Sequence, residues 1–514
     1  MKKADNNKRL AKNTMLLYGR MLFLLGIRLY TSRIILSALG FTDYGIYNVV
    51  GGIVAMFTMV SSSINAAITR FITFELGTGH IDKLKKVFSS SITIQVLLSI
   101  ILFIFAETLG LWFLNEKMVI PEERMYATNW VYQFSIVTFI VNLISIPYNS
   151  AIIAHEKMGA FAYISILEAV FTLVVAYTIK VTPFDRLIYY AIMLVVSALI
   201  IRYIYIFYCK KKFVECKYTF VYDKSLFREM FSFSGWNLIG ATSAVFRDHG
   251  GNLLINLFFG PEVNAARGIG MQVSHAIHGF VSNFQMALNP QITKSYAGGD
   301  IDYMNNLAQK GSKFSYYILF LIALPVLVST EYILNLWLGS FPEHTVLFVQ
   351  LIIIFTLMES LSGPLVTVMY ATGEVKNYQI VVGGLQLLNL PISYVLLRFG
   401  APPEIIIVVS VFVSFSCLIA RLIMLRPLVG INIKEFLGNV VFKAFLISIF
   451  SLFIVKISTL FLQEGLLAFI IKTIVSLLTA SIVILFVGLT KKEREFIISK
   501  ALSIIKKIKH DRQV

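Results

Sequence analysis

Two stretches, Thr58–Leu84 (TMVSSSINAAITRFITFELGTGHIDKL) and His278–Met304 (HGFVSNFQMALNPQITKSYAGGDIDYM), read as one segment met twice, 220 residues apart. Gly79-His80-Ile81-Asp82-Lys83-Leu84 falls on Gly299-Asp300-Ile301-Asp302-Tyr303-Met304, and upstream Leu39-Gly40 falls on Phe259-Gly260. Between these anchors Thr58, Ser62, Asn65 and Thr69 land on His278, Ser282, Gln285 and Asn289 without a gap. On a helix turning about 100° per residue, each set of four occupies an arc of roughly 60°. Both helices therefore carry one polar stripe on an otherwise apolar surface. Inside a membrane such a stripe turns to protein or water rather than lipid. Small polar residues also serve helix packing, while bulky His278 and Gln285 weigh for a cavity. A second match sets Pro147 and Ala154 on Pro364 and Ala371 at a shift of 217. Each pair closes a helix ahead of a short loop with Glu and Lys (Glu156, Lys157; Glu374, Lys376).

Around these segments the chain is 57% hydrophobic and only 14% charged over 514 residues, against about 25% charged in a soluble globular chain. Apolar runs of the roughly 20 residues that cross a bilayer recur throughout. Fourteen spans are predicted, at about 13–37, 45–70, 88–114, 126–150, 160–180, 187–208, 234–259, 265–290, 312–337, 345–370, 376–398, 404–426, 437–460 and 466–490. The fold class expected is an all-α integral membrane protein. The repeat unit then holds six spans, an even number, so both copies share one orientation about an axis along the membrane normal. Transporters built this way place their substrate between the halves. The organisation expected is an N-lobe over 1–208, a linker over 209–233 and a C-lobe over 234–426. Two further helices over 427–490 and a tail over 491–514 complete it.

The net charge of +17 does not form a nucleic-acid surface. With both termini cytoplasmic, lysine and arginine favour inside over outside segments by about five to one, the bias that sets orientation. Among outside residues stand Lys117, Arg124, Lys180, Arg186, Arg267 and Arg398. Met1–Lys12 is basic but lacks a short apolar core and a cleavage site, so no cleaved signal peptide is expected. In the tail, Ile497, Ala501, Ile504, Ile505 and Ile508 alternate with Lys500, Lys506, Lys507 and Lys509, the pattern of an amphipathic helix on an anionic membrane. Cys209, Cys216 and Cys417 match no metal or redox spacing.

Ionisable residues within spans are costly and usually functional. Arg20 and Arg28 lie about 80° apart on the first helix, so one face presents both. Arg28 corresponds to Asp248 in the run Arg247-Asp248-His249, where Asp248 is also placed to neutralise Arg247 or Arg28. Glu168, Glu359, Lys443, Lys456 and Lys472 complete the main set, with the three lysines near enough to span ends to snorkel. Arginine suits bidentate phosphate contacts, so Arg20, Arg28 and Arg247 point to an anionic head group. No HExxH, Walker A or GxSxG pattern is present. No enzyme activity, metal or cofactor is expected; a proton or sodium gradient, membrane potential or downstream consumption supplies energy.

Arg33 through Lys86, above all Leu39-Gly40-Phe41-Thr42-Asp43-Tyr44-Gly45-Ile46-Tyr47-Asn48 and the Ser62/Asn65/Thr69 span, resembles the polysaccharide-transport branch of the MOP superfamily. That superfamily also holds MATE exporters and the lipid II flippase. The resemblance extends along the whole chain and implies Wzx-type activity. Such a protein moves undecaprenyl-diphosphate-linked sugar repeat units across the bacterial inner membrane, for O antigen, capsule or exopolysaccharide. It implies two six-helix lobes in a V, two extra C-terminal helices, and a polysaccharide polymerase as partner. It also implies cationic cavity residues, by position Arg20, Arg28 and Arg247. The candidate substrate-binding set is Arg20, Arg28, Arg247, Asp248, His249, His275, His278, Ser62, Asn65, Gln285 and Asn289. The competing reading is a MATE-like ion-coupled exporter of cationic drugs acting through Asp248, Glu168 or Glu359. A membrane glycosyltransferase or polymerase fits less well, because no long extracytoplasmic loop interrupts the spans.

Overall fold

The computed structural model describes residues 2–495 except 56, 119, 222, 461, 463, 464 and 492, so most of the expected amphipathic tail lies outside the described residues. Among the described residues the chain is helical and has no strand. The long helices are α1 (Lys2–Ala55), α2 (Thr58–Thr78), α3 (Ile81–Glu116), α4 (Glu122–Ala154), α5 (Met158–Thr178), α6 (Arg186–Lys212), α7 (Lys224–Phe259) and α8 (Pro261–Ala297). After them come α9 (Ile301–Val328), α10 (Thr345–Thr372), α11 (Val375–Arg398), α12 (Ile405–Val429), α13 (Ile433–Ser458) and α14 (Leu466–Gly488). Helices satisfy every backbone polar group internally, which lipid requires.

Eleven helical stretches among the described residues are long and apolar enough to cross a membrane, including Arg9–Gly40 of α1. The chain is a multi-pass membrane protein. Length and composition thus account for eleven crossings, not the fourteen expected. The polar stripes and the Arg247-Asp248-His249 run lower the apolarity of α2, α7 and α8. On other helices large apolar side chains such as Phe103, Ile104, Phe453 and Leu467 stand exposed, as lipid solvation allows.

The backbone repeats where the sequence does. Gly40 and Gly260 take φ of 79° and 82°, and Gly79 and Gly299 take 77° and 76°. Without a Cβ, glycine enters this left-handed region at little cost. At the 217 shift, Glu156 and Gly373 are left-handed too, at 57° and 84°. Pro147 lies inside continuous α4, whereas Pro364 opens the second part of α10, after a turn at Leu361–Ser362.

Two compact units emerge, and they are not simply the two halves of the chain. The first comprises residues 1–245, 283–307 and 367–384; the second comprises 246–282, 308–366 and 385–514. In the first unit Phe88 meets Tyr148 edge-on at 5.2 Å, within a core that includes Phe71, Ile152, Cys209 and Phe233. Its basic end is tied by buried polar contacts. Glu156, its side chain 1% exposed, accepts from Arg9 Nε at 2.9 Å, Lys294 Nζ at 3.0 Å and Gln291 Nε2 at 3.2 Å. Reciprocally, Arg70 of α2 donates to the carbonyls of Tyr370 (3.0 Å) and Ala371 (3.3 Å) near the end of α10. Between these contacts, a Cβ on Gly77 would lie 2.7 Å from Ala297 Cβ. Since 297 is 77 shifted by 220, repeat-related positions touch each other where α2 and α8 cross. At the opposite end Arg124 bridges Asp43 and Asp185, each at 2.6 Å. Burial raises the Asp185 pKa, but the Arg124 hydrogen bond and the Ile188 and Leu187 amides outweigh it and hold the carboxyl below its ordinary value.

In the second unit Ser274 of α8 bonds Thr356 of α10 at 2.6 Å. Tyr316 and Tyr317 of α9 reach Ser448 (2.6 Å) and the Gly488 carbonyl (3.1 Å), fastening α13 and α14. Beyond α14, Glu493 takes both contacts of Lys313 Nζ, at 2.7 and 2.8 Å.

Candidate functional site

In the first unit a cavity of about 450 Å³ opens among α1, α4, α5 and α6. Helix α1 presents Arg20, Leu24, Ile27, Arg28, Thr31 and Ile35, and α5 presents Phe161, Ser165, Glu168, Ala169 and Thr172. Both series follow the three- and four-residue spacing of a single helix face. Asn149 and the rings of Tyr44, Tyr47, Tyr190 and Tyr205 complete the wall.

The electrostatics of this cavity are unbalanced. Two guanidiniums face the single carboxylate of Glu168, which interacts electrostatically with both. Neither arginine forms an ion pair with a carboxylate within 4 Å among the described residues. The Arg20 guanidinium lies over the Phe161 ring at 4.6 Å, and its Nε is buried without a hydrogen-bond partner. Thr31 Oγ1 and Asn149 Oδ1 are likewise buried and unpartnered. Such groups are costly unless something fills them. A net positive cavity with spare donors at Arg20 Nε and Thr31 Oγ1 suits an anion.

The other candidates are placed as follows. Ser62 and Asn65 are exposed on α2, and Ser150 of α4 joins Asn65 Oδ1 (3.2 Å) to Thr69 (2.8 Å), so part of the stripe packs against α4. Gln285 is half-buried, while Asn289 has a buried, unpartnered Oδ1. The Thr58 side chain lies outside the described ones. In the second unit Arg247 stands over the Phe355 ring at 5.0 Å, and His275 and His278 are exposed on α8. Asp248 and His249 belong to α7, but their side chains lie outside those described. Arg267, counted with the outside loops, is 3% exposed within α8 and bonded to Asn252.

Three structural features escaped the sequence reading. Glu168 stands among the in-span ionisable residues and in the exporter reading but not in the substrate-binding set, yet it shares a cavity with Arg20 and Arg28; the Phe161/Ser165/Glu168/Thr172 spacing carries that signal. Arg202 bonds Ser145 at 2.9 Å and Arg421 bonds Ser362 at 2.9 Å, with each serine two residues ahead of Pro147 or Pro364. The third is an apolar groove of about 830 Å³ in the second unit, between α9, α10, α12 and α13, where Phe320, Phe412, Phe415, Phe442 and Phe445 line it.

The polysaccharide biosynthesis protein family matches residues 10–296, more than half of the chain. The chain belongs to this family. No curated protein matches it. Solved structures share its fold at low identity. A multidrug resistance MATE family transporter of the MOP superfamily in an outward-facing conformation is 10% identical, with a TM-score of 0.70 over 82% of this chain and 96% of that one. A MATE transporter in the straight conformation is 11% identical, with a TM-score of 0.70 over 83% and 96%. The Vibrio cholerae MATE transporter VcmN in the bent form is 16% identical, with a TM-score of 0.66 over 81% and 95%. This member of the polysaccharide biosynthesis family therefore has the fold of MATE transporters.

Proposed function

We propose that this protein is a flippase. It carries undecaprenyl-diphosphate-linked oligosaccharide repeat units from the cytoplasmic to the outer leaflet of the bacterial inner membrane, with both termini in the cytoplasm. The observation that carries the reading is the cavity holding Arg20 and Arg28 beside one carboxylate. A diphosphate supplies the missing negative charge, and each charge-assisted contact is worth about 1.5–3 kcal/mol. Ser62 and Asn65 on α2, Gln285 and Asn289 on α8, and His275 and His278 are assigned to the sugars. Arg247, Asp248 and His249 are assigned to the opposing lobe's part of the path. The apolar groove of α9, α10, α12 and α13 is assigned to the polyprenyl tail, which packs against its phenylalanines as it does against lipid.

Transport then proceeds by alternating access of the lobes 1–208 and 234–426, with 209–233 as their linker and Pro147 and Pro364 as candidate hinges. The helices over 427–490 serve the lipid tail, and the basic segment 491–514 rests on the membrane. A proton or sodium gradient, the membrane potential or a downstream polymerase gives direction. An exporter of cationic drugs is disfavoured, since Glu168 faces two arginines in the cavity and Asp248 directly follows Arg247 in the sequence.

The test uses proteoliposomes and a fluorescent polyprenyl-diphosphate sugar. Arg20→Gln with Arg28→Gln should lower translocation on the order of tenfold or more while the protein still inserts and melts as the wild type does. Undiminished translocation by the double variant overturns the assignment.

A further inference from the structure

A second basic cavity lies outside the one just described. It measures about 650 Å³ and belongs wholly to the first unit, at its basic end. Lys224, Arg228 and Glu229 from the first turns of α7 line one side, with Phe233 and Trp236 one and two turns further. Gly373, Glu374 and Lys376, from the turn between α10 and α11, line the other, and Arg70 closes the back.

The charges do not cancel. Four cations (Arg70, Lys224, Arg228, Lys376) face two carboxylates (Glu229, Glu374), which leaves two positive charges in excess. Arg70 is engaged, since it holds the Tyr370 and Ala371 carbonyls and lies 3.7 Å from Glu229. Among the described residues Lys224 and Arg228 make no hydrogen bond or ion pair. Lys376 has only the face of Trp236, at 5.6 Å. Three available cations thus converge on a concave wall floored by an indole. Aromatic side chains stand exposed nearby, Phe231 at 47% and Phe220 at 74%, as aromatic rings do at the level of lipid head groups.

We propose that this cavity is a phosphate-binding site, separate from the transport cavity, whose ligand bridges Lys224 and Arg228 of α7 to Lys376 of α11. Basic pockets at the edge of a helical membrane protein bind anionic lipid head groups in this way. Two sources share that chemistry: the phosphodiester of an anionic bilayer lipid, and a diphosphate. Because the ligand lies against Arg70, it also steadies the contact that fastens α10 to α2. The site stands on its own residues and does not depend on the substrate proposed above.

The experiment compares the wild type with the combined K224Q, R228Q and K376Q variant, all exposed positions, so folding is checked by its melting temperature. One arm titrates inorganic pyrophosphate into detergent-purified protein and reads Trp236 fluorescence, with Trp236→Phe as the blank. The other counts phosphatidylglycerol retained per protein by native mass spectrometry after purification from nanodiscs. The expected result is salt-sensitive binding in at least one arm, weaker on the order of tenfold in the triple variant. Loss in the lipid arm alone identifies a bilayer lipid, and loss in the pyrophosphate arm identifies a diphosphate. Absence of binding in both arms, or equal binding by wild type and triple variant, overturns the proposal.

Discussion

Replacing Glu156 with glutamine keeps the side-chain volume and one acceptor but removes the charge that faces Lys294 and Arg9. Arg9 is half exposed, so its pair is screened and contributes about 0–1 kcal/mol. Lys294 is 26% exposed against a carboxylate that is 1% exposed, and stranding its ammonium costs about 3 kcal/mol, the low end for a broken buried pair. The loss expected is therefore about 3–4 kcal/mol. Unfolding entropy of about 2.1 cal/mol/K per residue over 514 residues equates 1 kcal/mol to about 1 °C. Thermal unfolding in detergent should thus fall by about 3–4 °C. Lys294→Met in both backgrounds completes a cycle with a coupling of at least about 1 kcal/mol. A melt within 1 °C of wild type together with an additive cycle would refute the reasoning. Glu156→Gly sharpens the test, because φ of 57° strains glutamate by about 1 kcal/mol and glycine relieves it. A net loss of about 2–3 kcal/mol remains if the side chain matters more than the backbone.

Gly488→Ala should destabilise by about 1–3 kcal/mol, because its Cβ would meet Tyr317 Cζ at 2.8 Å and Ile447 Cδ1 at 2.9 Å; thermal unfolding reads this, and co-substitution of Tyr317 with Phe should not rescue it. Gly77→Ala should lower the melt more than Gly40→Ala. The first Cβ runs into Ala297 and the Lys294 backbone, and the second meets nothing within 4 Å and bears only the φ of 79°. Burial raises the Glu493 pKa, but the Lys313 hydrogen bond and charge together with the Thr490 amide and hydroxyl outweigh it and hold the carboxyl below its ordinary 4.5. A depressed carboxylate stabilises fully above that value and loses its contribution as pH falls through the depressed one. Melting temperature measured from pH 6 downward should drop below about pH 4.5 more steeply in wild type than in Lys313→Met.

Local features were legible and long-range pairings were not. The Gly40/Gly260 and Gly79/Gly299 pairs announce themselves, because a left-handed turn between apolar runs selects glycine wherever it recurs. Arg20 and Arg28 could be put on one face from helical spacing alone, and that face lines the cavity. Glu156 gave no such sign, since its partners Arg9 and Lys294 stand 147 and 138 residues away. The stripe on α2 was ambiguous for a physical reason: Asn65 and Thr69 serve helix packing through Ser150 while Ser62 stays exposed. The apolar groove was invisible because leucine and phenylalanine facing lipid look the same in sequence as leucine and phenylalanine lining a groove.

The sidedness of lipid-linked sugar repeat units in cells lacking the gene bears most directly on the central claim. Accumulation on the cytoplasmic face, reversed by the wild-type gene and not by the Arg20→Gln, Arg28→Gln variant, is the predicted result. A normal distribution of the sugar lipid across the two leaflets in the deletion strain would contradict the account.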